Sequence, residues 1–205
     1  MSATALSDFV SSYRMRATRV FYLLFAAAII LTDSGHNGSV LADLLLLLGI
    51  VFIGLGTAGR LWCALFISGH KRAELTTAGP YSMTRNPLYF SSFLGFAGMG
   101  LATQTLLLTL ASAIFFYVLY MFTIRQEERY LGGKFGDAFV KYCARTPRFF
   151  PDPKLYQEPE TWLVDPKQFR RTMLDATWFV WILAIIQFAA ALHAHRLLPT
   201  LLLLS

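Results

Sequence analysis

The chain has 205 residues, of which 56% are hydrophobic and only 15% carry a charge. Soluble domains usually have about a quarter charged residues, so this composition argues against a water-soluble enzyme and for a polytopic membrane protein. The net charge of +6 accompanies long apolar runs, which favours an oriented membrane protein over a nucleic-acid-binding one. The two cysteines, Cys63 and Cys143, match no disulfide or zinc pattern, so no metal site is expected.

Five apolar runs predict an all-α fold with about five transmembrane helices. The first run, about residues 20–31, follows three arginines and is interpreted as an uncleaved anchor, because no small-x-small cleavage site comes after it. The other four cover about residues 40–67, 88–102, 106–124 and 174–192. Only a few residues join the third and fourth runs, which predicts a tight helical hairpin. The alternative is four spans, with the first run lying in the membrane interface.

The positive charges predict the orientation. Alternating five spans places the N-terminus, residues 68–87 and residues 125–173 on one side, together with the end of the second span. That side holds 17 of the 18 Lys and Arg residues, and only Arg196 falls on the other. The positive-inside rule therefore predicts a cytoplasmic N-terminus and a C-terminus on the opposite face. We divide the chain into residues 1–67 with the first two helices, 68–151 with the hairpin and polar motifs, and 152–205 with a linker and the last helix.

A first polar cluster precedes the third span. Gly79-Pro80 predicts a turn, and Asn86 followed by Pro87 predicts a helix N-terminus at the membrane surface. The free N–H groups and the helix dipole would attract an anion there, and Arg85 could pair with a carboxylate. The same residues also fit a capped helix with a snorkelling arginine.

A second polar cluster lies where the fourth span leaves the membrane, at Glu127 and Glu128. Acidic residues near a bilayer are costly unless they are paired. On a helix the two side chains point about 100° apart, so they do not readily form one acid–base dyad. One carboxylate could face a site while the other pairs with basic residues. The alternative is a solvated helix exit with local ion pairs.

The order of these and neighbouring motifs is more specific than any one of them. The motifs are Gly79-Pro80-Tyr81, Arg85-Asn86-Pro87-Leu88-Tyr89, Glu127-Glu128, Leu131, Phe135-Gly136, Tyr142, Arg145, Pro147-Arg148-Phe149 and Pro151. In this order they resemble the isoprenylcysteine carboxyl methyltransferase family, whose core the phospholipid N-methyltransferases share. The resemblance covers about residues 68–151.

The resemblance implies that S-adenosylmethionine is the cofactor, bound at the cytoplasmic face. It implies cofactor contacts from Leu75, Thr76, Gly79, Tyr81, Arg85, Asn86, Pro87, Leu88, Tyr89, Gly98, Gly100, Glu127 and Glu128. Arg85 and Glu127 are the expected catalytic residues. Glu127 can hold the ammonium of the cofactor, and Arg85 or the helix N-terminus can hold its carboxylate. Arg125, Arg145 and Arg148 are expected to bind the substrate. Without the resemblance, Gly98 and Gly100 indicate only close helix packing.

Two positions depart from the family pattern. Asn86 stands where the eukaryotic isoprenylcysteine enzymes have His, and Thr123 stands where the family has a substrate-linked Arg. A prenylcysteine substrate is therefore less well supported, and a phospholipid amine, a carboxylate and a small thiol all stay open as acceptors. We expect a bacterial inner-membrane methyltransferase with a lipidic or small hydrophobic acceptor and no nucleic-acid partner. The alternatives are a steroid-type lipid reductase and a non-catalytic membrane scaffold; the oligomeric state is open.

Overall fold

The computed structural model describes residues 19–34, 39–68, 74–198 and 202–204. Within them, three helical segments are long and apolar enough to cross a membrane, at Val40–Ile67, Leu106–Phe135 and Pro166–Ala194. Two shorter apolar helices, Arg19–Leu31 and Pro87–Ala102, accompany them. The helical fold class is confirmed, and each of the five predicted runs coincides with one of these segments. The arginines at positions 14 and 16, which precede the first run, and residues 69–73 of the polar segment before the hairpin lie outside the described residues.

In chain order the helices are α1 (Arg19–Leu31), α2 (Val40–Ile67), α3 (Pro80–Met83), α4 (Pro87–Ala102), α5 (Leu106–Phe135), α6 (Asp137–Arg145), α7 (Pro166–Ala176) and α8 (Trp178–Ala194), with a 3-10 turn at Pro153–Leu155. Two three-residue strands, β1 (Thr32–Ser34) and β2 (Leu202–Leu204), pair in parallel. This pairing places residues 202–204 beside the end of α1.

Small residues allow α2 and α4 to pack backbone against backbone, in antiparallel directions. A Cβ atom at Gly49 would lie 2.6 Å from the amide nitrogen of Ala102, and one at Gly56 would lie 2.7 Å from that of Gly95. Real Cβ atoms do not approach backbone so closely, so glycine is required where these helices cross. The end of α2 is thereby fixed beside the beginning of α4.

The hairpin of α4 and α5 is closed by a short turn containing Gln104, whose φ is +58°. The α5 helix extends beyond the predicted apolar run, which ends at residue 124, and continues to Phe135. Its 30 residues span about 45 Å, more than the roughly 30 Å of a hydrocarbon core. The last turns of α5 therefore project beyond the apolar layer, and they carry Glu127 and Glu128 on helix.

The core lies among α1, α2, α4, α5 and α8. Its buried side chains include Phe25, Ile53, Phe96, Met99, Phe116, Phe179, Ile182 and Ile186. The ring of Phe21 in α1 stacks on Phe115 of α5, with centroids 4.1 Å apart. One face of the first helix therefore packs against α5, and α8 contributes side chains to the core.

The segment predicted as a linker, residues 147–165, has little helix but lies against the loop before α4. The Gly79 amide donates to the Gln157 carbonyl at 2.8 Å, and the Asp152 amide donates to the Met83 carbonyl at 3.0 Å. The segment ends where the Asp165 side chain caps α7. It therefore connects the polar end of the core to the last helix by an ordered path.

Candidate functional site

Two backbone segments meet at the polar end of the bundle. One leads into α4 and the other follows α6. The Arg85 amide donates to the Pro147 carbonyl at 2.9 Å, and the fully buried Thr84 hydroxyl donates to the Phe149 carbonyl at 3.1 Å. These bonds fix the loop that delivers Asn86 and Pro87 to the start of α4.

Asn86 begins α4 without capping it in the usual way. Its side chain makes no cap hydrogen bond, because its Nδ2 donates to the Arg148 carbonyl at 2.9 Å and to Oε1 of Glu128 at 3.4 Å. Pro87 has no N–H to satisfy. The first amide of α4, that of Leu88, therefore has no side-chain cap, and the positive end of the helix dipole is left available.

Glu128 is the centre of an ion-pair cluster. Its Oε2 accepts from Nε of Arg148 at 3.0 Å, and its Oε1 lies 3.4 Å from Nε of Arg85. The Glu128 side chain is only 11% exposed and that of Arg85 13%. The geometry of the Arg85 contact does not make a hydrogen bond, so the two groups interact by charge alone. Glu128 is thus neutralised by partners within the protein.

Glu127 has a different environment although it is adjacent in sequence. It is exposed, and its Oε2 accepts a hydrogen bond from the Tyr89 hydroxyl at 2.9 Å. The ring of Tyr89 packs near that of Tyr120 on α5, with centroids 5.6 Å apart. The helix turns the two adjacent carboxylates in different directions, so Glu127 presents negative charge and aromatic surface to the exterior while Glu128 faces the arginines.

Tyr81 lies on the short helix α3, next to this cluster. Its carbonyl accepts a 2.6 Å hydrogen bond from the Tyr142 hydroxyl. Burial raises the pKa of both phenols well above the usual range, and the nearby Glu127 adds to the effect at Tyr81. Both tyrosines are therefore neutral near pH 7. The preceding Gly79 has φ of +59°, and a Cβ there would overlap the Phe66 ring, so glycine is needed at this turn.

Several of the predicted site residues lie away from this cluster. Gly98 and Gly100 are buried in helix contacts with α2 and α5, about 18–21 Å along α4 from Asn86 by the helical rise. Leu75 and Thr76 are half-buried in the segment before α3. The structure therefore brings Arg85, Asn86, Tyr89, Glu127, Glu128 and Arg148 together, with Gly79, Tyr81, Pro87 and Leu88 adjacent, but does not bring the two α4 glycines to them.

The three arginines predicted to bind substrate occupy different positions. Arg148 belongs to the Glu128 cluster, and Arg125 is exposed on α5. Arg145 is also exposed and borders a small crevice of about 30 Å³ with Thr77 and Gln157. Of the three, only Arg148 contacts the carboxylate cluster.

A cavity of about 220 Å³ adjoins the cluster and was not predicted from the sequence. Its lining includes Arg60 of α2, Ser92 of α4, Tyr120 of α5 and Asp175 of α7, together with Trp178 and Phe179 of α8. The one signal in the sequence was Arg60, the only basic residue in the apolar second run. It was counted only among the positive charges that predict the orientation. The other lining residues come from five separate helices, α1 among them through Tyr22, and leave no joint pattern in the sequence.

No group of three or more His, Cys, Asp or Glu side chains that could hold a metal ion occurs among residues 19–34, 39–68, 74–198 and 202–204. The carboxylates of the cluster are paired with arginines or a tyrosine instead. The chemistry available at the polar end is therefore that of an exposed carboxylate, aromatic rings, an uncapped helix N-terminus and a buried ion pair.

Comparison with known proteins gives one family and two long matches. The family model described as phospholipid methyltransferase matches residues 39–138, from the start of α2 into α6. The cobalt-zinc-cadmium resistance protein CzcN of Cupriavidus metallidurans is 39% identical over 183 residues, covering 89% of this chain and 84% of that protein. The nickel-cobalt-cadmium resistance protein NccN of Alcaligenes xylosoxydans xylosoxydans is 36% identical over 199 residues, covering 97% and 93%. No solved structure matches the chain.

Proposed function

We propose that this chain, which belongs to the phospholipid methyltransferase family, transfers a methyl group from S-adenosylmethionine to a lipidic or small hydrophobic acceptor at the membrane surface. The observation that carries the proposal is the difference in environment between the two adjacent carboxylates. Glu128 is held by Arg85 and Arg148, while Glu127 is exposed beside Tyr89. A helix exit that only needed solvation would not require one carboxylate to be enclosed by two arginines.

The donor set at the polar end fits the charges of S-adenosylmethionine. The exposed carboxylate of Glu127 matches an ammonium or a sulfonium. The uncapped start of α4 at Leu88 matches a carboxylate. The ring of Tyr89 provides a face for a cation or a flat base. When bound, S-adenosylmethionine supplies an electrophilic methyl group on its sulfonium.

Arg85 has a different role from the one its sequence position implies. Its Nε lies against Glu128, so we assign Arg85 to positioning and leave the carboxylate of the cofactor to the helix start. Arg85 and Arg148 neutralise Glu128 and hold it near Asn86, which fixes the loop into α4. Tyr89 donates to Glu127 and so restricts that carboxylate. The protein's contribution is mainly to bind and orient two reactants.

We place this end of the bundle at the cytoplasmic face of a bacterial inner membrane, with the N-terminus on the same side. Support comes from the charge distribution, since 17 of 18 Lys and Arg residues lie in segments assigned to that face. Water-soluble S-adenosylmethionine would then approach from the cytosol and the apolar acceptor from the lipid. Assays with labelled cysteines at both termini would contradict this placement if the N-terminus were accessible from the periplasm.

The first test is binding of S-adenosylmethionine to the full chain in detergent, measured by calorimetry. We compare the wild type with Glu127→Gln and use Glu158→Gln, an exposed carboxylate elsewhere, as the matched control. Loss of the charge at position 127 should weaken binding roughly tenfold or more, whereas Glu158→Gln should bind like the wild type. A monodisperse, folded wild type that does not bind S-adenosylmethionine would overturn the proposal and favour a reductase or a scaffold.

The names of the two relatives favour a second proposal at the level of physiology. Both are named as metal resistance proteins, and we propose that methyl transfer by this chain contributes to tolerance of divalent metals. Growth in cobalt, zinc and cadmium should fall in a deletion strain and be restored by the wild type but not by Glu127→Gln. Equal restoration by Glu127→Gln would separate metal tolerance from methyl transfer.

A further inference from the structure

The cavity beside the polar cluster contains a guanidinium in an unusual setting. Arg60 lies seven residues before the end of α2, about 10 Å along the helix axis. Apart from Asp43 near the beginning, it is the one charged residue in this apolar helix. A charge at such a position is costly unless it is paired or serves a site.

Arg60 forms no ion pair with a carboxylate of the described residues. Its Nη1 donates to the Ser92 hydroxyl at 2.5 Å, and its Cζ lies 5.8 Å from the centre of the Phe179 ring. Its Nε is buried and has no hydrogen-bond partner within residues 19–34, 39–68, 74–198 and 202–204. Asp175 also lines the cavity, but it forms no ion pair with Arg60. The Ser92 hydroxyl and the Phe179 ring hold the guanidinium in place, and its Nε can still donate a hydrogen bond to a ligand.

We propose that this cavity is the acceptor site and that Arg60 recognises an oxyanion, a carboxylate or a phosphate, at the head of an apolar molecule. The proposal rests on the methyl-transfer function proposed above. The volume of about 220 Å³ is below the roughly 300–1,000 Å³ of pockets that enclose drug-sized ligands. The cavity is therefore the size of a headgroup, and the apolar remainder of the ligand would lie outside it, against the lipid-facing helices.

The position of the cavity relative to Glu127 supports this assignment. On α4, Ser92 follows Tyr89 by three residues, and on α5, Tyr120 precedes Glu127 by seven, so each pair lies on one helix face. The Tyr89 and Tyr120 rings, 5.6 Å apart, join the cavity wall to the carboxylate. The acceptor atom and the oxyanion therefore belong to the same headgroup.

The last helix completes the site. Trp178 and Phe179 at the start of α8 line the cavity, and Phe179 fits against Gly95, where a Cβ would lie 2.6 Å from its ring. These residues lie beyond the stretch matched by the phospholipid methyltransferase model, which ends at residue 138. Residues outside the shared core thus contribute to the choice of acceptor in this chain.

The test uses three probes with one apolar chain, different heads and a bromine on the carbon next to the head: 2-bromoundecanoate, 2-bromoundecyl phosphate and 2-bromoundecanol. Bromine quenches tryptophan fluorescence at short range, and Trp178 lines the cavity. The full-length protein in detergent is titrated as the wild type, as Arg60→Met, and as Arg129→Met, an exposed arginine of α5 that serves as the matched control. Binding of S-adenosylmethionine is measured on the same samples.

The anionic probes should quench saturably in the wild type and in Arg129→Met, and their affinity should fall roughly tenfold or more in Arg60→Met. The alcohol should show only non-saturable partition. Whichever anionic probe binds more tightly, the carboxylate or the phosphate, identifies the headgroup of the natural acceptor. Binding of S-adenosylmethionine should be unchanged in Arg60→Met, so a failure of the acceptor site is distinct from a failure of the methyl-transfer proposal.

Equal affinity of the anionic probes for wild type and a folded Arg60→Met would overturn the assignment, as would saturable binding of the alcohol with the same affinity. If Arg60→Met does not fold, the wild type still tests the proposal, because the anionic probes should bind saturably and the alcohol should not. Arg60→Lys, which keeps the charge but loses the planar fork, should retain measurable binding of the anionic probes.

Discussion

Tyr89 and Glu127 are joined by a hydrogen bond of 2.9 Å, in which the phenolic hydroxyl donates to Oε2 of the carboxylate. The two residues come from different helices, α4 and α5. The ring of Tyr89 also packs against that of Tyr120, which lines the Arg60 cavity. One side chain therefore contacts both the exposed carboxylate and the wall of the proposed acceptor site.

Replacing Tyr89 should weaken binding of S-adenosylmethionine in two steps. Tyr89→Phe removes only the hydroxyl, and the loss of one hydrogen bond corresponds to about a two- to tenfold weaker affinity. Tyr89→Leu also removes the aromatic face and should weaken binding further. Calorimetry measures both. Tyr117→Phe, at an exposed position of α5, is the control and should bind like the wild type. Identical affinities for Tyr89→Phe and Tyr89→Leu would show that the ring makes no contact with the cofactor.

The adjacent carboxylates should differ in their effects on stability. Glu128→Gln removes the charge that holds Arg85 and Arg148, of which Arg85 is nearly buried. The free energy of unfolding should fall by about 1–3 kcal/mol, since a buried guanidinium loses its partner. Glu127→Gln changes an exposed group and should alter stability by less than about 0.5 kcal/mol. Thermal unfolding followed by circular dichroism compares them. An equal loss for both variants would contradict the separation of structural and binding roles.

The helical elements could be predicted because long apolar runs determine them almost alone. The predicted second run and α2 have the same bounds, Val40–Ile67. The fourth predicted run ends at residue 124 because it includes only the apolar residues of the span. Helix formation tolerates Glu, Arg and Lys well, so α5 continues to Phe135 and leaves the apolar layer while still helical.

The sequence predicted that one of the two adjacent carboxylates could pair with basic residues, but it did not identify which carboxylate or which partners. The sequence identified Arg85, Glu127 and Glu128 as site residues. The pairing of Arg85 with Glu128 depends on the loop that Pro147 holds by a backbone hydrogen bond, and no local pattern encodes that contact. The Arg60 cavity was missed for the same reason, because its walls come from helices distant in sequence.

Glycines on α2 should differ sharply in their tolerance of alanine. At Gly56 a Cβ would meet the backbone of Gly95 at 2.7 Å, whereas at Gly54 nothing lies within 4 Å. Gly56→Ala should therefore separate the helices and lower the free energy of unfolding by about 1–3 kcal/mol. Gly54→Ala, two residues away on the opposite face of the helix, should be neutral or slightly stabilising because alanine favours helix. Thermal unfolding in one detergent tests both, and an unfolding temperature of Gly56→Ala equal to that of Gly54→Ala would contradict the close packing.

The buried phenol of Tyr142 should make stability depend on alkaline pH. Burial raises its pKa in the folded protein above the usual value of 10.0, so the neutral form is favoured by folding. The corresponding stability is fully present below about pH 10 and is lost as pH rises from there toward the folded-state pKa, because only the unfolded chain then releases the proton. The hydrogen bond to the Tyr81 carbonyl should persist throughout the neutral range.

Tyr142→Phe isolates this effect. At pH 7 the free energy of unfolding of the variant should be about 0.5–1.5 kcal/mol lower, because the hydrogen bond to Tyr81 is lost. Above pH 10 its stability should fall less steeply than that of the wild type. Unfolding temperatures measured between neutral and strongly alkaline pH give both quantities. Tyr130→Phe, at an exposed position, controls for general alkaline effects. Parallel pH profiles for wild type and Tyr142→Phe would show that the phenol of Tyr142 titrates equally in the folded and unfolded states.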